Sequence, residues 1–221
     1  MPPAFSVVIP SYNQAEFLRE SLASVLGQTF QDFEIVVVNN QSTDHTLAVI
    51  EEANDPRIKV VNFSNDGVIG AGRNRGIENS TGEFVAFLDS DDGWHPSKLE
   101  RVTKMLEAEP GIGLVCHDQE FIWEGVGRRL SKCGPPEEFR GDLHEYLLLS
   151  GNCISTSATV ASRKYLVQVG SFSEERQFVT TEDYELWLRL SKMCEFRFIH
   201  EVLGIQRYHA TSASANVELN L

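Results

Sequence analysis

The 221-residue chain is 42% hydrophobic and 23% charged, which excludes a disordered, collagen-like or coiled-coil protein. Its 19 Lys and Arg face 32 Asp and Glu, a formal charge of -13 that argues against nucleic acid as a partner and against simple electrostatic docking on anionic lipid. An anionic ligand could be held only where Arg, His or a bound metal concentrates positive charge.

The first half of the chain alternates strand and helix patterns. Residues 5–9 are a β-branched apolar run stopped by Pro10, and 15–26 repeat apolar residues at helical spacing (Phe17, Leu18, Leu22, Val25, Leu26). Strands are expected at 33–38, 58–63 and 84–88, and helices at 43–53, 71–79 and 96–109. This alternation implies a mainly parallel sheet with helices on both faces, which binds ligands beyond the carboxyl ends of its strands. The second half is less regular. A strand is expected at 112–116, a loose hairpin with Gly125 and Gly127 at 120–130, a turn at Gly134-Pro135-Pro136 and a helix at 141–149. A strand at 156–161, helices at 162–169 and 183–193, and short strands at 196–199 and 203–208 complete the reading. No linker, internal repeat or low-complexity segment interrupts it.

Cys116, Cys133, Cys153 and Cys194 form no CxxC pair, so buried thiols rather than a zinc site are expected. Met1-Pro2-Pro3-Ala4 carries no signal-peptide pattern, and no apolar run approaches the ~20 residues of a membrane span. A cytoplasmic protein is expected, with peripheral contact at the inner membrane face left open.

The strongest chemical signal is Phe84-Val85-Ala86-Phe87-Leu88-Asp89-Ser90-Asp91-Asp92, an apolar strand running into three carboxylates. Like charges this close repel unless a cation neutralises them, and Asp89 and Asp91 are spaced to face one Mg²⁺ or Mn²⁺ from a tight turn. A plain polar turn is the competing reading. Glu182 and Asp183 open a helix with its apolar stripe at Leu186 and Leu190. Acids there suit the helix dipole as simple caps, and one fixed near a metal site can also act as a general base. Arg207-Tyr208-His209 could bind phosphate or metal. Gly67, Gly70, Gly72 and Gly76 have the wrong spacing and follow the third strand, so a dinucleotide-binding Rossmann loop is rejected.

Ser6-Val7-Val8-Ile9-Pro10-Ser11-Tyr12-Asn13, the segment 24–30, Ser42-Thr43-Asp44, Ala71-Gly72-Arg73-Asn74, the segment 82–92 and Glu182-Asp183 together resemble glycosyltransferase family 2. The resemblance runs in order over nearly the whole chain. It implies a single α/β domain of GT-A fold over 1–221, with a nucleotide-sugar half at 1–118 and a more variable acceptor and base half at 119–221. It also implies an enzyme moving a sugar from a nucleotide diphosphate to an acceptor hydroxyl with inversion, aided by Mn²⁺ or Mg²⁺. Ser11, Tyr12, Asn40, Arg73, Asp89 and Ser90 would then hold the nucleotide sugar, Asp91, Asp89 and His209 the metal, and Asp92 would support that cluster. Asp183 would be the base, and residues 121–140, which align with nothing in the family, would shape an acceptor loop. The expected donor is a UDP-sugar, with dTDP- or CDP-sugars as alternatives. The expected acceptor is a glycan or lipid-linked glycan in surface polysaccharide, lipopolysaccharide or glycoconjugate synthesis.

Two features refine this. Where the family commonly has Asp-Asp-Gly-Ser-Thr-Asp, this chain has Asn39-Asn40-Gln41-Ser42-Thr43-Asp44. An Asn40 amide that can turn to offer a donor or an acceptor would discriminate poorly among pyrimidines. No Gln-x-x-Arg-Trp follows Asp183, so a single addition is expected rather than processive synthesis. The competing functions are a sugar-phosphate nucleotidyltransferase, which would want a Gly- and Lys-rich phosphate loop after the first strand, and a catalytically silent nucleotide-sugar binder.

Overall fold

The computed structural model describes residues 1–123 and 127–209. The expected hairpin glycine Gly125 and the last part of the expected domain, 210–221, lie outside the described residues. β1 (Phe5–Ser11), α1 (Ala15–Leu26), β2 (Phe33–Asn39), α2 (Thr46–Ala53), β3 (Ile58–Asn62), α3 (Ile69–Glu78) and β4 (Phe84–Phe87) follow the expected alternation. A two-residue strand β5 (Gly93–Trp94) precedes α4 (Lys98–Ala108). The rest comprises β6 (Ile112–Trp123), β7 (Gly127–Ser131), α5 (Leu143–Ser150), β8 (Thr159–Ser162), α6 (Arg163–Gln168), α7 (Glu182–Leu190) and β9 (Glu195–Tyr208).

Among the described residues the strands form one nine-stranded sheet ordered β3-β2-β1-β4-β8-β6-β9-β5, with β7 paired to β6. Parallel pairing holds from β3 to β4 and again between β6 and β9, whereas β8, β5 and β7 pair antiparallel. The expected parallel arrangement is therefore a property of the first half, and the second half makes the sheet mixed. Alternate residues of each strand feed two apolar layers. Val7, Ile9, Ala86 and Leu88 meet α1, α2 and α4 through Leu18, Val25, Val49 and Leu99. Val8, Val85 and Phe87 meet α3, α6 and α7 through Ile77, Leu166, Leu186 and Trp187. Helices thus cover both faces. Gly76 lets α3 lie against β1, since a Cβ there would collide with the Val8 side chain.

Local differences have local causes. Helix α2 starts at Thr46 because the Asp44 carboxylate accepts its N–H at 3.0 Å, and the same carboxylate accepts the Ala15 N–H that opens α1. Asp44 is thus a cap for two helices. The two short strands expected at 196–199 and 203–208 are one strand, because β6 pairs along their whole length and absorbs the break between them as register shifts near His117 and Asp118. Residues 156–158 form a turn of 3₁₀ helix rather than the start of a strand.

Candidate active site

The carboxyl ends of β1, β2 and β4 open into a cleft of about 810 Å³ whose other wall comes from the second half. Ser11, Tyr12, Asn40, Arg73, Asp89, Ser90, Asp91 and Asp183 all line it. His209 stands behind Asp91, with Nε2 3.0 Å from the carboxylate and its ring stacked on Phe17 at 4.6 Å. The fold therefore gathers every expected site residue at one place.

The three carboxylates after β4 are handled separately. Asp89 takes two hydrogen bonds from Arg73, at 2.9 and 3.2 Å. Burial, with Asp89 nearby, raises the Asp91 carboxyl above the usual aspartate range, against the pull of His209. Burial and the charges of Asp91 and Asp89 push buried Asp92 well above that range, although it accepts the Arg207 N–H at 2.8 Å and the nearby Ser157 hydroxyl pulls the other way. Two carboxyls held up by burial and mutual repulsion are groups that a cation would relieve. The available donors are carboxylate oxygens and an imidazole, which suit Mn²⁺ or Mg²⁺. Among the described residues no group of three or more His, Cys, Asp and Glu is already arranged around one metal position. Asp91 and His209 are in direct contact with each other, while Asp89 is shared with Arg73.

Across the cleft, the two acids at the start of α7 differ sharply. Glu182 is 4% exposed, and Arg73 Nη1 donates to it at 2.5 Å. Arg73 is itself 5% exposed; burial disfavours its charge, but Asp89 and Glu182 outweigh that and raise its pKa above the ordinary value. Arg73 therefore bridges β4 to α7 with one guanidinium fork. Asp183 has no such charged partner among the described residues. Its carboxylate accepts the Tyr184 N–H at 2.6 Å, the Thr156 hydroxyl at 3.2 Å and the Asn152 amide at 3.3 Å. Burial raises its pKa, and the more distant Arg73 charge only partly offsets this.

Asn40 is fixed rather than free to turn. Its Oδ1 accepts the Asn65 N–H at 2.9 Å and its Nδ2 donates to Asn65 Oδ1 at 2.8 Å. That oxygen is committed as an acceptor by the Gly67 N–H at 2.9 Å. Two backbone donors thus orient both amides, contrary to the turning expected of Asn40. Asn39 is spent similarly, on Asn62 and the Ser42 N–H. Part of the unaligned segment also reaches the site, as Ser131 at the end of β7 and Lys132 and Cys133 just after it line the cleft. Asn65, Asn152 and Thr156 line it as well. Asn65-x-Gly67 is a readable turn signal, but nothing in the local sequence marks Asn152 or Thr156 as cleft residues.

Comparison with known proteins places the chain. Residues 6–166 match the family model described as glycosyl transferase family 2. The chain is 31% identical over 215 residues to the amylovoran biosynthesis glycosyltransferase AmsB of Erwinia amylovora, covering 93% of this chain and 69% of that protein. It is 34% identical over 188 residues to the Escherichia coli UDP-Glc:alpha-D-GlcNAc-diphosphoundecaprenol beta-1,3-glucosyltransferase WfgD, covering 85% and 69%. Its fold resembles Staphylococcus aureus TarS 1–349 in complex with UDP-GlcNAc, with a TM-score of 0.79, 22% identity and coverage of 98% and 61%. It also resembles the mannosyltransferase PcManGT of Pyrobaculum calidifontis in complex with GDP-Man and Mn²⁺, with a TM-score of 0.71, 20% identity and coverage of 97% and 60%. The chain spans about 60% of the length of these solved chains. It belongs to glycosyltransferase family 2 and has the GT-A fold. Among the described residues no helix is long and apolar enough to cross a membrane.

Proposed function

We propose that this family 2 chain transfers one sugar from a UDP-sugar to a hydroxyl of a glycan or lipid-linked glycan, with inversion, in polysaccharide synthesis. The observation that carries the reading is the contrast at the start of α7: both acids line the cleft, but Glu182 is ion-paired through Oε1 with Arg73, whereas among the described residues the Asp183 carboxylate accepts hydrogen bonds from neutral donors only. Asp183 accepts the proton as the acceptor oxygen attacks the anomeric carbon. The bond from that carbon to the diphosphate breaks, and the nucleotide leaves with the electron pair. One displacement driven by one base inverts the centre.

Ser11, Tyr12, Asn40 and Ser90 sit where a nucleotide at the strand ends would meet them, and Lys132 and Arg207 bring positive charge to an otherwise acidic cleft. Asp91 and His209, with Asp89, would hold Mn²⁺ or Mg²⁺; a divalent ion supplies Lewis-acid stabilisation of the charge that grows on the diphosphate. The UDP-GlcNAc and Mn²⁺ of the solved relatives, and the diphosphoundecaprenol acceptor in the name of WfgD, support the donor, metal and acceptor classes. A lipid-linked acceptor would bring the chain to a membrane surface.

Replacing Asp183 by Asn keeps the side chain's shape and removes its basicity. Transfer should fall by ~10²–10⁴, the usual effect of losing a general base, with UDP affinity by calorimetry unchanged. A variant retaining more than a tenth of turnover would move the base elsewhere. The raised Asp183 pKa has a defined sign: a base works only when deprotonated, so activity falls with pH through a value above the ordinary aspartate range. A kcat/KM profile whose acid limb lies at the ordinary aspartate value would contradict the assignment.

A further inference from the structure

We propose that the turn at Thr156–Ala158 is a positioning element for transfer, with Thr156 aiming the Asp183 carboxylate and Ser157 holding the Asp89–Asp92 turn in register with it. The inference rests on the reading of Asp183 as the base. Successive residues of this turn reach opposite sides of the site. The Thr156 hydroxyl donates to Asp183 Oδ2 at 3.2 Å. The Ser157 hydroxyl accepts the Asp89 N–H at 3.1 Å and, beside the Asp92 carboxylate, favours that group's charged form. One peptide unit therefore joins the group that takes the acceptor proton to the acids at the end of β4.

The turn is held rigidly. Ser157 is 2% and Thr156 5% exposed. The Ser157 carbonyl accepts the Trp94 indole N–H at 2.8 Å and a Lys98 Nζ–H at 3.0 Å. Lys98 is wholly buried and lies over the Trp94 ring, 3.5 Å from its centre. A buried lysine is costly, and a well-packed apolar residue would serve the core as well or better. Its use here on a single carbonyl makes sense if the position of that carbonyl matters. Because Ser157 then has little freedom, its hydroxyl and the neighbouring Thr156 hydroxyl are set in direction before any substrate binds, which is the condition for a preorganised site.

The charged groups facing Asp183 are Arg73 from α3 and Glu182 from α7, and both stay in place in the variants that test the idea. Thr156→Val preserves volume and removes one donor to the Asp183 carboxylate. The acid limb of kcat/KM should move up by about half a pH unit, as expected for a lost hydrogen bond to the charged form, while Thr156→Ser keeps the wild-type limb. Calorimetric UDP affinity in Mn²⁺ should be unchanged in both. Ser157→Ala should do the reverse, weakening UDP binding in Mn²⁺ about tenfold and leaving the acid limb in place. A limb that does not move in Thr156→Val, or wild-type UDP affinity in Ser157→Ala, overturns the proposal. If Ser157→Ala fails to fold, the Thr156 pair decides alone. Asp183→Asn in the same assays separates the two ideas, because turnover retained there defeats the base assignment, whereas an inactive Asp183→Asn beside an unaltered Thr156→Val defeats only the positioning role.

Discussion

The two walls of the cleft satisfy their polar groups in different ways. On the nucleotide side the partners are neighbours at adjacent strand ends: Asn40 with Asn65, Asn39 with Asn62, Asn13 with Thr43, Asp44 with Ala15. On the opposite side the partners lie across the molecule. Glu182 is held by Arg73, the Phe172 backbone by Asn74, the Arg207 backbone by Asp92 and His209 by Asp91. The parallel sheet brings the first set together by its own register. The second set has no such scaffold, and its side chains are positioned by bonds back to the first half. The base-bearing wall is thus a dependent structure, and disturbing α3 should damage it more than disturbing the strand-end turns damages the nucleotide side.

The largest test of that dependence is Arg73→Met. It leaves Glu182 buried without a counter-charge and frees Asp89, and breaking one partner out of a buried ionic group costs about 3–5 kcal/mol. Urea unfolding should register that loss, and adding Glu182→Gln should recover part of it. If Arg73→Met weakened only UDP binding and left stability unchanged, Arg73 would belong to the nucleotide and not to the bridge.

Asn74→Ala comes next. Asn74 Nδ2 donates to the Phe172 carbonyl and its Oδ1 accepts the Phe172 N–H, both at 2.9 Å, fixing the segment that leads into α7. The close approach is confirmed at Gly70, where a Cβ would stand 2.6 Å from the Ser173 carbonyl oxygen. Two orphaned buried backbone groups cost about 1–3 kcal/mol each, and kcat should fall while UDP affinity holds. Equal losses in kcat and UDP affinity would mean that the two walls are not separable.

The smallest expected effect is Asn40→Asp, on the nucleotide side. A carboxylate oxygen would replace Nδ2 opposite Asn65 Oδ1, and the Gly67 N–H prevents that oxygen from turning away. UDP and CDP affinities should both fall, by about tenfold, as the pair loosens. A UDP-to-CDP ratio that rises instead would put residue 40 in direct contact with the base. Either result is read from the same titrations.

Much of this site is legible in the chain itself, and the reasons are local. A strand of Phe84-Val85-Ala86-Phe87 ending in Asp89, Asp91 and Asp92 declares a charged turn because apolar burial and carboxylate repulsion act within nine residues. The alternation from β1 to β4 is equally readable, since a strand buried on both faces needs continuous apolar residues and each helix between strands needs one apolar stripe. The acids at the start of α7 stand out for the same reason.

What the chain does not declare is the division of labour between Glu182 and Asp183. Adjacent acids at a helix start look alike until the fold brings Arg73, more than a hundred residues earlier, against one of them. The fusion of the last two short strands into β9 likewise depends on β6 as a continuous partner, and β5 exists only because β9 passes beside it. Thr156 and Ser157 are ordinary residues in an ordinary stretch, and become a link between two walls only where the sheet folds them under both. Hydrophobic period and turn chemistry act over a few residues and so are written in order along the chain. Hydrogen bonds, ion pairs and burial act between surfaces, and which surfaces meet is decided by packing alone.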